Sequence, residues 1–311
     1  MAQSSRPLVR VGTRGSPLAL AQAGEVKARL LTACGLEADA IAIHVIRTSG
    51  DRIQDRPLAE AGGKGLFTKE IEQALADGEI DLAVHSAKDL PTFLPPGLTI
   101  AGYLPREDVR DVLVARAATS LDALPRGAVV GTASLRRQAL VRRRRPDVTV
   151  VTFRGNVETR LRKLEEGQAG ATILALAGLK RLGREGVASA VLPLDAFPPA
   201  VGQGAIALEA RADDRRIRDL AAAVADAETG FALAAERAFL AALDGSCRTP
   251  IAGHARIVEG RLRFHGLIVR VDGSELHETT RAGGLSEAAA LGADAGRELR
   301  RRAAPDFFGP E

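Results

Sequence analysis

Two stretches of this chain carry the same arrangement, and that repetition narrows the available folds more than any other feature. Residues 9–22 read V-R-V-G-T-R-G-S-P-L-A-L-A-Q, and residues 128–140 read A-V-V-G-T-A-S-L-R-R-Q-A-L. Each is an apolar strand run, a Gly-Thr turn and a helix start. In the first, Ser16 is placed to cap the helix and Pro17 to occupy its first position. Strands are expected at Leu8–Thr13, Ala40–Arg47 and Asp81–His85, with helices from Ser16 and over Leu66–Ala76. That order is βαβαβ, the mark of a mostly parallel sheet with covering helices. The second stretch opens a similar unit, with strands at Thr149–Phe153 and Ala171–Ala175 and helices from Val157 and around Leu179. The fold class expected is α/β, with two similar doubly wound α/β domains facing a cleft.

The remainder has another rhythm. A helix over Thr229–Leu243 precedes alternating runs at Ile251–Ala255, Leu262–Val271 and Glu275–Arg281, and a helix over Ser286–Arg302 closes the chain. Asp272-Gly273 is a strong hairpin signal. A small C-terminal α+β domain with a three-stranded antiparallel sheet is expected. Gly202–Leu208 reads as a glycine turn plus a strand returning the chain to the first domain. The expected boundaries are 1–105 with 200–222, then 106–199, then 223–311.

With 311 residues, 46% hydrophobic and 26% charged, the chain has ordinary globular composition and length for two or three domains. Residues 1–10, M-A-Q-S-S-R-P-L-V-R, lack the apolar core of an export signal. No run approaches the ~18 apolar residues of a membrane span. Two distant cysteines make no disulfide framework, so a reducing, cytoplasmic setting is expected. The five histidines show no metal-ligand spacing, C-x-x-C is absent, and so is the G-x-S-x-G of serine hydrolases.

The net charge of +4 is modest but uneven: Arg136 to Lys163 holds ten basic residues against Asp147 and Glu158. That points to a polyanionic partner: nucleic acid, phosphate or a substrate rich in carboxylates. One Tyr and no Trp leave little for base stacking, and no helix-turn-helix or zinc-finger pattern appears. For Arg142–Arg145 the simpler reading is a solvated helix face. The arginines beside turns are more informative. Arg14 follows the first Gly-Thr, Arg136 and Arg137 the second, and Arg154-Gly155-Asn156 another strand. Helix starts after strand ends receive anions, and guanidinium suits carboxylate.

Asp89 lies in V-H-S-A-K-D-L-P, straight after a strand, with Lys88 beside it and Pro91 preventing a long helix. A carboxylate among arginines stays ionised and can stabilise a cation or orient an N–H donor. A helix cap or a structural ion pair is the alternative. Gly62-Gly63-Lys64-Gly65 resembles a phosphate loop without completing G-x-x-x-x-G-K-[ST]. A lid over Thr48–Gly65 that brings Lys64 to a ligand fits equally well. His85 is expected to be packed and hydrogen-bonded, and Cys34 buried at a helix end. Cys247, in L-D-G-S-C-R-T-P, sits in a turn with Arg248 beside it, which favours thiolate and a nucleophile or covalent attachment point.

Nine ordered motifs resemble the porphobilinogen deaminase (hydroxymethylbilane synthase) family: G-T-R-G-S-P-L-A-L-A-Q, G-G-K-G-L-F-T-K-E-I-E, V-H-S-A-K-D-L-P-T, R-E-D-V-R-D, G-T-A-S-L-R-R-Q, F-R-G-N-V-E-T-R-L, A-G-L-K-R-L-G, P-A-V-G-Q-G-A-I and G-S-C-R-T-P-I. The resemblance implies α/β domains of periplasmic-binding-protein type and an activity. Four porphobilinogen molecules join head to tail, four ammonia molecules leave, and linear hydroxymethylbilane forms for tetrapyrrole and haem synthesis. It implies a dipyrromethane cofactor held to Cys247 by a thioether, with Asp89 as the catalytic aspartate. Two primer rings and four substrate rings carry twelve carboxylates. Arg14, Arg136, Arg137, Arg154, Arg160 and Arg181 are implied to bind them, with hydroxyl contacts from Ser86, Thr132 and Ser134 and further charge from Lys88 and Lys64. Ser16, Gln22, Gly155, Asn156 and Gln203 complete the implied binding set. A monomer with no nucleic-acid or membrane partner is also implied. Two positions depart from the family pattern. Ala133 stands where a second serine is frequent, and Glu60 where some members carry lysine. The rival reading, a two-domain anion clamp without catalysis, does not account for Cys247.

Overall fold

The computed structural model describes residues 8–52, 65–245, 250–304 and 306–307. The elements up to residue 115 are β1 (Val9–Arg14), α1 (Pro17–Cys34), β2 (Ile41–Ile46), α2 (Ser49–Arg52), α3 (Lys69–Ala76), β3 (Leu82–Ser86), β4 (Leu98–Tyr103) and β5 (Asp111–Ala115). There follow β6 (Val129–Gly131), α4 (Leu135–Arg144), β7 (Thr149–Val151), α5 (Val157–Glu165), β8 (Ala171–Ala175), α6 (Leu176–Arg181) and β9 (Ala190–Val191). Last come β10 (Ile206–Arg211), α7 (Arg215–Ala222), α8 (Ala227–Ala242), β11 (Ile251–Val258), β12 (Arg261–Val269), β13 (Leu276–Gly283) and α9 (Ala288–Arg302).

Among the described residues the chain forms two compact units, one from 8–52, 65–106 and 205–230, the other from 107–204 and 231–307. The first holds a sheet of order β2-β1-β3-β10-β4. β1 pairs in parallel with β2 and β3, whereas β10 runs antiparallel to β3 and β4. The sheet is therefore mixed, and β10 is the returning strand expected from Gly202–Leu208. Each face is covered because strand residues alternate. Val9, Val11, Leu82, Val84, Ile206 and Leu208 share an apolar layer with Val26 and Leu30 of α1 and Ile217 of α7. Ala83 of the opposite face joins Ile71 and Leu75 of α3.

The second unit repeats this plan in the order β7-β6-β8-β5-β9. β6 is parallel to β7 and β8, and β5 is antiparallel to β8 and β9. Serine begins the first helix in both units. Ser16 Oγ accepts from Ala19 N at 3.3 Å, and Ser134 Oγ from Arg137 N at 3.4 Å. The expected helix at Leu66 starts at Lys69, because the Thr68 and Lys69 amides first close a turn on Gly65 O. The strand expected over Thr149–Phe153 ends at Val151. Cys34 is half-buried rather than buried, packed against the edge of the α1 layer. Within Thr48–Gly65, read as a loop, Ser49–Arg52 forms a helical turn, and the rest of that stretch to Lys64 lies outside the described residues.

The second unit also contains the antiparallel sheet β11-β12-β13. Ala252, Leu267 and Val269 share one buried layer with Leu113, Val130 and Ala139 of the α/β sheet and its helix. The β12–β13 hairpin grips the end of α4. Arg142 Nη1 donates to Val271 O at 2.7 Å and Arg143 Nη1 to Gly273 O at 3.3 Å. Gly273 has φ +82, and a Cβ there would stand 2.7 Å from Arg143 N and 2.8 Å from Ala139 O. Gly260 also has positive φ, with open space around it. Gly260→Ala is expected to bear only the left-handed penalty of about 1–2 kcal/mol, and Gly273→Ala that penalty plus a backbone collision. Thermal unfolding checks the order: an equal Tm loss in the two variants contradicts the packing described.

Candidate active site

In the first unit the sequence-predicted residues gather at the carboxyl ends of β1 and β3. Ser86 ends β3, and Ala87–Asp89 forms a 3-10 turn that stops before Pro91. The Ala87 amide donates to Ala205 O at 3.0 Å, tying the turn to the segment entering β10. Asp89 Oδ2 lies 3.9 Å from Arg14 Nη1, with side-chain exposures of 32% and 22%. Both groups are thus open to a ligand and too far apart for a direct hydrogen bond. The Arg14 guanidinium sits 4.2 Å from the Phe67 ring centroid, a cation–π contact that helps to hold it. Ser86 and Gln22 exchange hydrogen bonds at 2.9 and 3.1 Å. Gln22 is buried, and Lys88 is half-buried in the turn itself. Ser16 caps α1.

In the second unit the predicted residues divide by burial. Arg154, Gly155 and Arg160 are half-buried and Asn156 exposed, all around the start of α5. Asn156 Oδ1 accepts from Thr159 N at 2.8 Å, and Arg160 Nε donates to Gly155 O at 2.9 Å. Arg181 ends α6 and reaches Gly204 O at 3.1 Å. Ser134 is half-buried and Thr132 fully buried at the start of α4.

Arg136, Arg137 and Gln203 lie deeper, 4%, 5% and 1% exposed. All three converge on Asp111, which is wholly buried. Arg136 Nη2 donates to Oδ2 at 2.7 Å, Arg137 Nη2 to Oδ1 at 2.6 Å, and Gln203 Nε2 to Oδ1 at 2.8 Å. Arg136 also reaches Pro198 O and Arg137 reaches Ile173 O at 2.9 Å. The cluster holds two cations against one anion, and the Nε atoms of both arginines are buried without a partner. Burial alone would raise the Asp111 carboxyl, but the two guanidiniums hold it far below the usual carboxylate range. Sequence reasoning did not single out Asp111. Its signal was a charge opening the apolar run D-V-L-V-A.

The Arg142–Arg145 run lies at the surface and is largely engaged by partners within the chain. Besides the hairpin contacts, Arg144 pairs with Asp122 at 2.7 Å, and Arg145 binds Asp147 and the carbonyls of Leu121, Asp122 and Leu124. His85 is buried and hydrogen-bonded, as expected. Cys247 and Lys64 lie outside the described residues.

Two α/β sheets of one strand plan, with cationic side chains at their strand ends and a carboxylate facing one of them, define an α/β protein suited to an anionic ligand. Residues 9–219 match the family described as "Porphobilinogen deaminase, dipyromethane cofactor binding domain", and residues 231–301 match "Porphobilinogen deaminase, C-terminal domain". Curated relatives named porphobilinogen deaminase from Nitrobacter winogradskyi and Nitrobacter hamburgensis are 62% and 61% identical over 301 residues, covering 97% of this chain and 95% of each relative. A solved periplasmic substrate-binding protein of an ABC transporter from Coxiella burnetii is 16% identical with a TM-score of 0.44, covering 70% of this chain and 91% of that one. The chain belongs to the porphobilinogen deaminase family.

Proposed function

We propose that this chain is a transferase that condenses four porphobilinogen molecules head to tail, with loss of four ammonia molecules, to give hydroxymethylbilane for tetrapyrrole synthesis. The family match over both domains supports this reading, and the Asp89–Arg14 arrangement carries its chemistry. The residues fit a dipyrromethane cofactor in kind. Arg14, Arg154, Arg160 and Arg181 are partly open cations, and Arg136 and Arg137 bring a buried excess of positive charge above Asp111. Cys247 is the residue that would hold the cofactor. When bound, dipyrromethane supplies the pyrrole whose free ring carbon receives the next methylene group.

Arg14 holds a substrate carboxylate, and Phe67 keeps its guanidinium in place. Asp89 accepts the pyrrole N–H of the incoming substrate. As the C–N bond to ammonia breaks, positive charge spreads to that ring nitrogen, and a fixed carboxylate stabilises it there. The new C–C bond then forms, and the proton lost from the attacked ring carbon leaves with ammonia. Asp89 is also placed to assist that transfer. Lys88, Ser86, Ser134 and Thr132, with Ser16, Gln22, Gly155, Asn156, Gln203 and Lys64, complete the proposed binding set. The reading includes a cytoplasmic monomer with no nucleic-acid or membrane partner.

Intact-protein and peptide mass spectrometry tests the proposal most directly. Protein from tetrapyrrole-making cells should carry the added mass of two pyrrole units on the peptide containing Cys247. Unmodified protein that makes no hydroxymethylbilane when supplied with porphobilinogen would sink the proposal.

A further inference from the structure

On the face of the first sheet that α3 covers, three titratable side chains lie in an otherwise aliphatic layer. His85 comes from β3, Glu209 from β10 and Glu72 from α3, with exposures of 5%, 0% and 7%. Ala207 stands opposite His85 in the ladder, so Glu209, two residues further on, shares that face. His85 Nε2 lies 2.9 Å from Glu209 Oε2. The remaining Glu209 oxygen and Oε1 of Glu72 are buried with no hydrogen-bond partner. Two carboxylates against one imidazole would leave excess negative charge in an apolar layer, which burial opposes. Burial pushes the Glu72 carboxyl above its usual range. The charge of Glu209 adds to this, whereas Thr68 and His85 oppose it.

Other charged groups on this face are engaged elsewhere. Arg14 stacks on Phe67 and faces Asp89, and Arg10 is bidentate on Asp81. Arg211 binds Leu75 O, Ile80 O and Asp214, and Glu70 accepts from Ser49. Glu72, buried with Oε1 unpartnered, is the carboxyl at which a proton relieves that excess negative charge.

We infer that Glu209, with His85 and a protonated Glu72, is the positioning device for the turn that carries Asp89. His85 directly precedes Ser86 and that turn, and β3 and β10 are joined there by backbone and side chain together. α3 begins just after Phe67, which holds Arg14. One buried network therefore touches the elements that place both members of the Asp89–Arg14 pair. The inference rests on the reading of Asp89 as the catalytic carboxylate.

Two variants of the cofactor-bearing protein test it. Glu209→Gln keeps shape and removes charge; kcat should fall about 10- to 100-fold through a displaced turn, with KM within about threefold and cofactor mass unchanged. Unaltered kcat in a folded Glu209→Gln protein overturns the inference. Glu72→Gln mimics the protonated acid, and its readout is Tm against pH. A raised carboxyl contributes stability fully below its unfolded pKa and loses it as pH rises through the folded one. The variant's Tm minus that of the wild type should therefore climb from about pH 5 to about pH 8. A falling difference means that Glu72 is ionised and paired, and overturns the inference. Absence of any turnover in the wild type would sink the proposed function instead, while the Tm comparison still reads the triad.

Discussion

Asp89→Asn should lower turnover about 100- to 1000-fold, while the protein keeps its dipyrromethane mass and its Tm. The substitution preserves size and a hydrogen-bonding oxygen, so it removes charge and little else. Asp89 is one-third exposed at the end of a short turn whose backbone is held independently, by Ala87 N on Ala205 O and Leu90 N on Ala87 O. Its pairing with Arg14 spans 3.9 Å, so stability depends little on it. What is lost is the fixed negative charge next to the ring nitrogen when ammonia departs. KM should move less than kcat, because Arg14 still holds the substrate carboxylate. Steady-state rates with porphobilinogen, beside intact mass and thermal unfolding, separate these effects. Activity within about tenfold of the wild type would remove Asp89 from the chemistry.

The sheets were legible in the sequence where local signals agree. Ser16-Pro17 marks a helix start by capping, and Ala171–Ala175 is an apolar run of strand length, with bounds the structure reproduces. The strands β4, β5 and β9 were not anticipated. L-T-I-A-G-Y is half-buried and contains glycine, D-V-L-V-A opens on a charge, and β9 is only two residues long. Their formation depends on neighbours distant in the chain, which no local pattern encodes. The site was legible as chemistry more than as geometry. Arginines at turns are visible in one dimension, but which of them face outward depends on tertiary partners. Arg154 and Arg160 stay partly open around the start of α5, whereas Arg136 and Arg137 turn inward because Asp111, twenty-five and twenty-six residues earlier, waits beneath α4. Glu209 and Asp111 share the same faint signal, a carboxylate within an apolar strand. Such a residue is tolerated only when something buried answers its charge.

That principle sets the second large effect, which concerns stability. Asp111→Asn should destabilise the protein by about 3–5 kcal/mol. The carboxylate is fully buried and receives Nη2 of both Arg136 and Arg137, besides Gln203. An amide offers one oxygen where two were used, and it leaves two desolvated guanidiniums facing each other without an anion. Burial already lowers the Arg136 pKa, Asp111 opposes that loss, and Arg137 adds to it, so removing Asp111 leaves only the unfavourable effects. The Tm should fall by on the order of 10 °C. Asp122→Asn, which breaks the exposed pair with Arg144, should leave Tm unchanged within error. The pH dependence has a definite sign. Asp111 is depressed in the folded state, so its stabilisation is complete above the ordinary Asp pKa and declines as pH falls below it. Wild type and Asp111→Asn should therefore converge in Tm under acid and separate towards neutral pH. A constant gap across that range would mean that the lost stability comes from packing, and that the two arginines do not depend on this carboxylate for their place beneath α4.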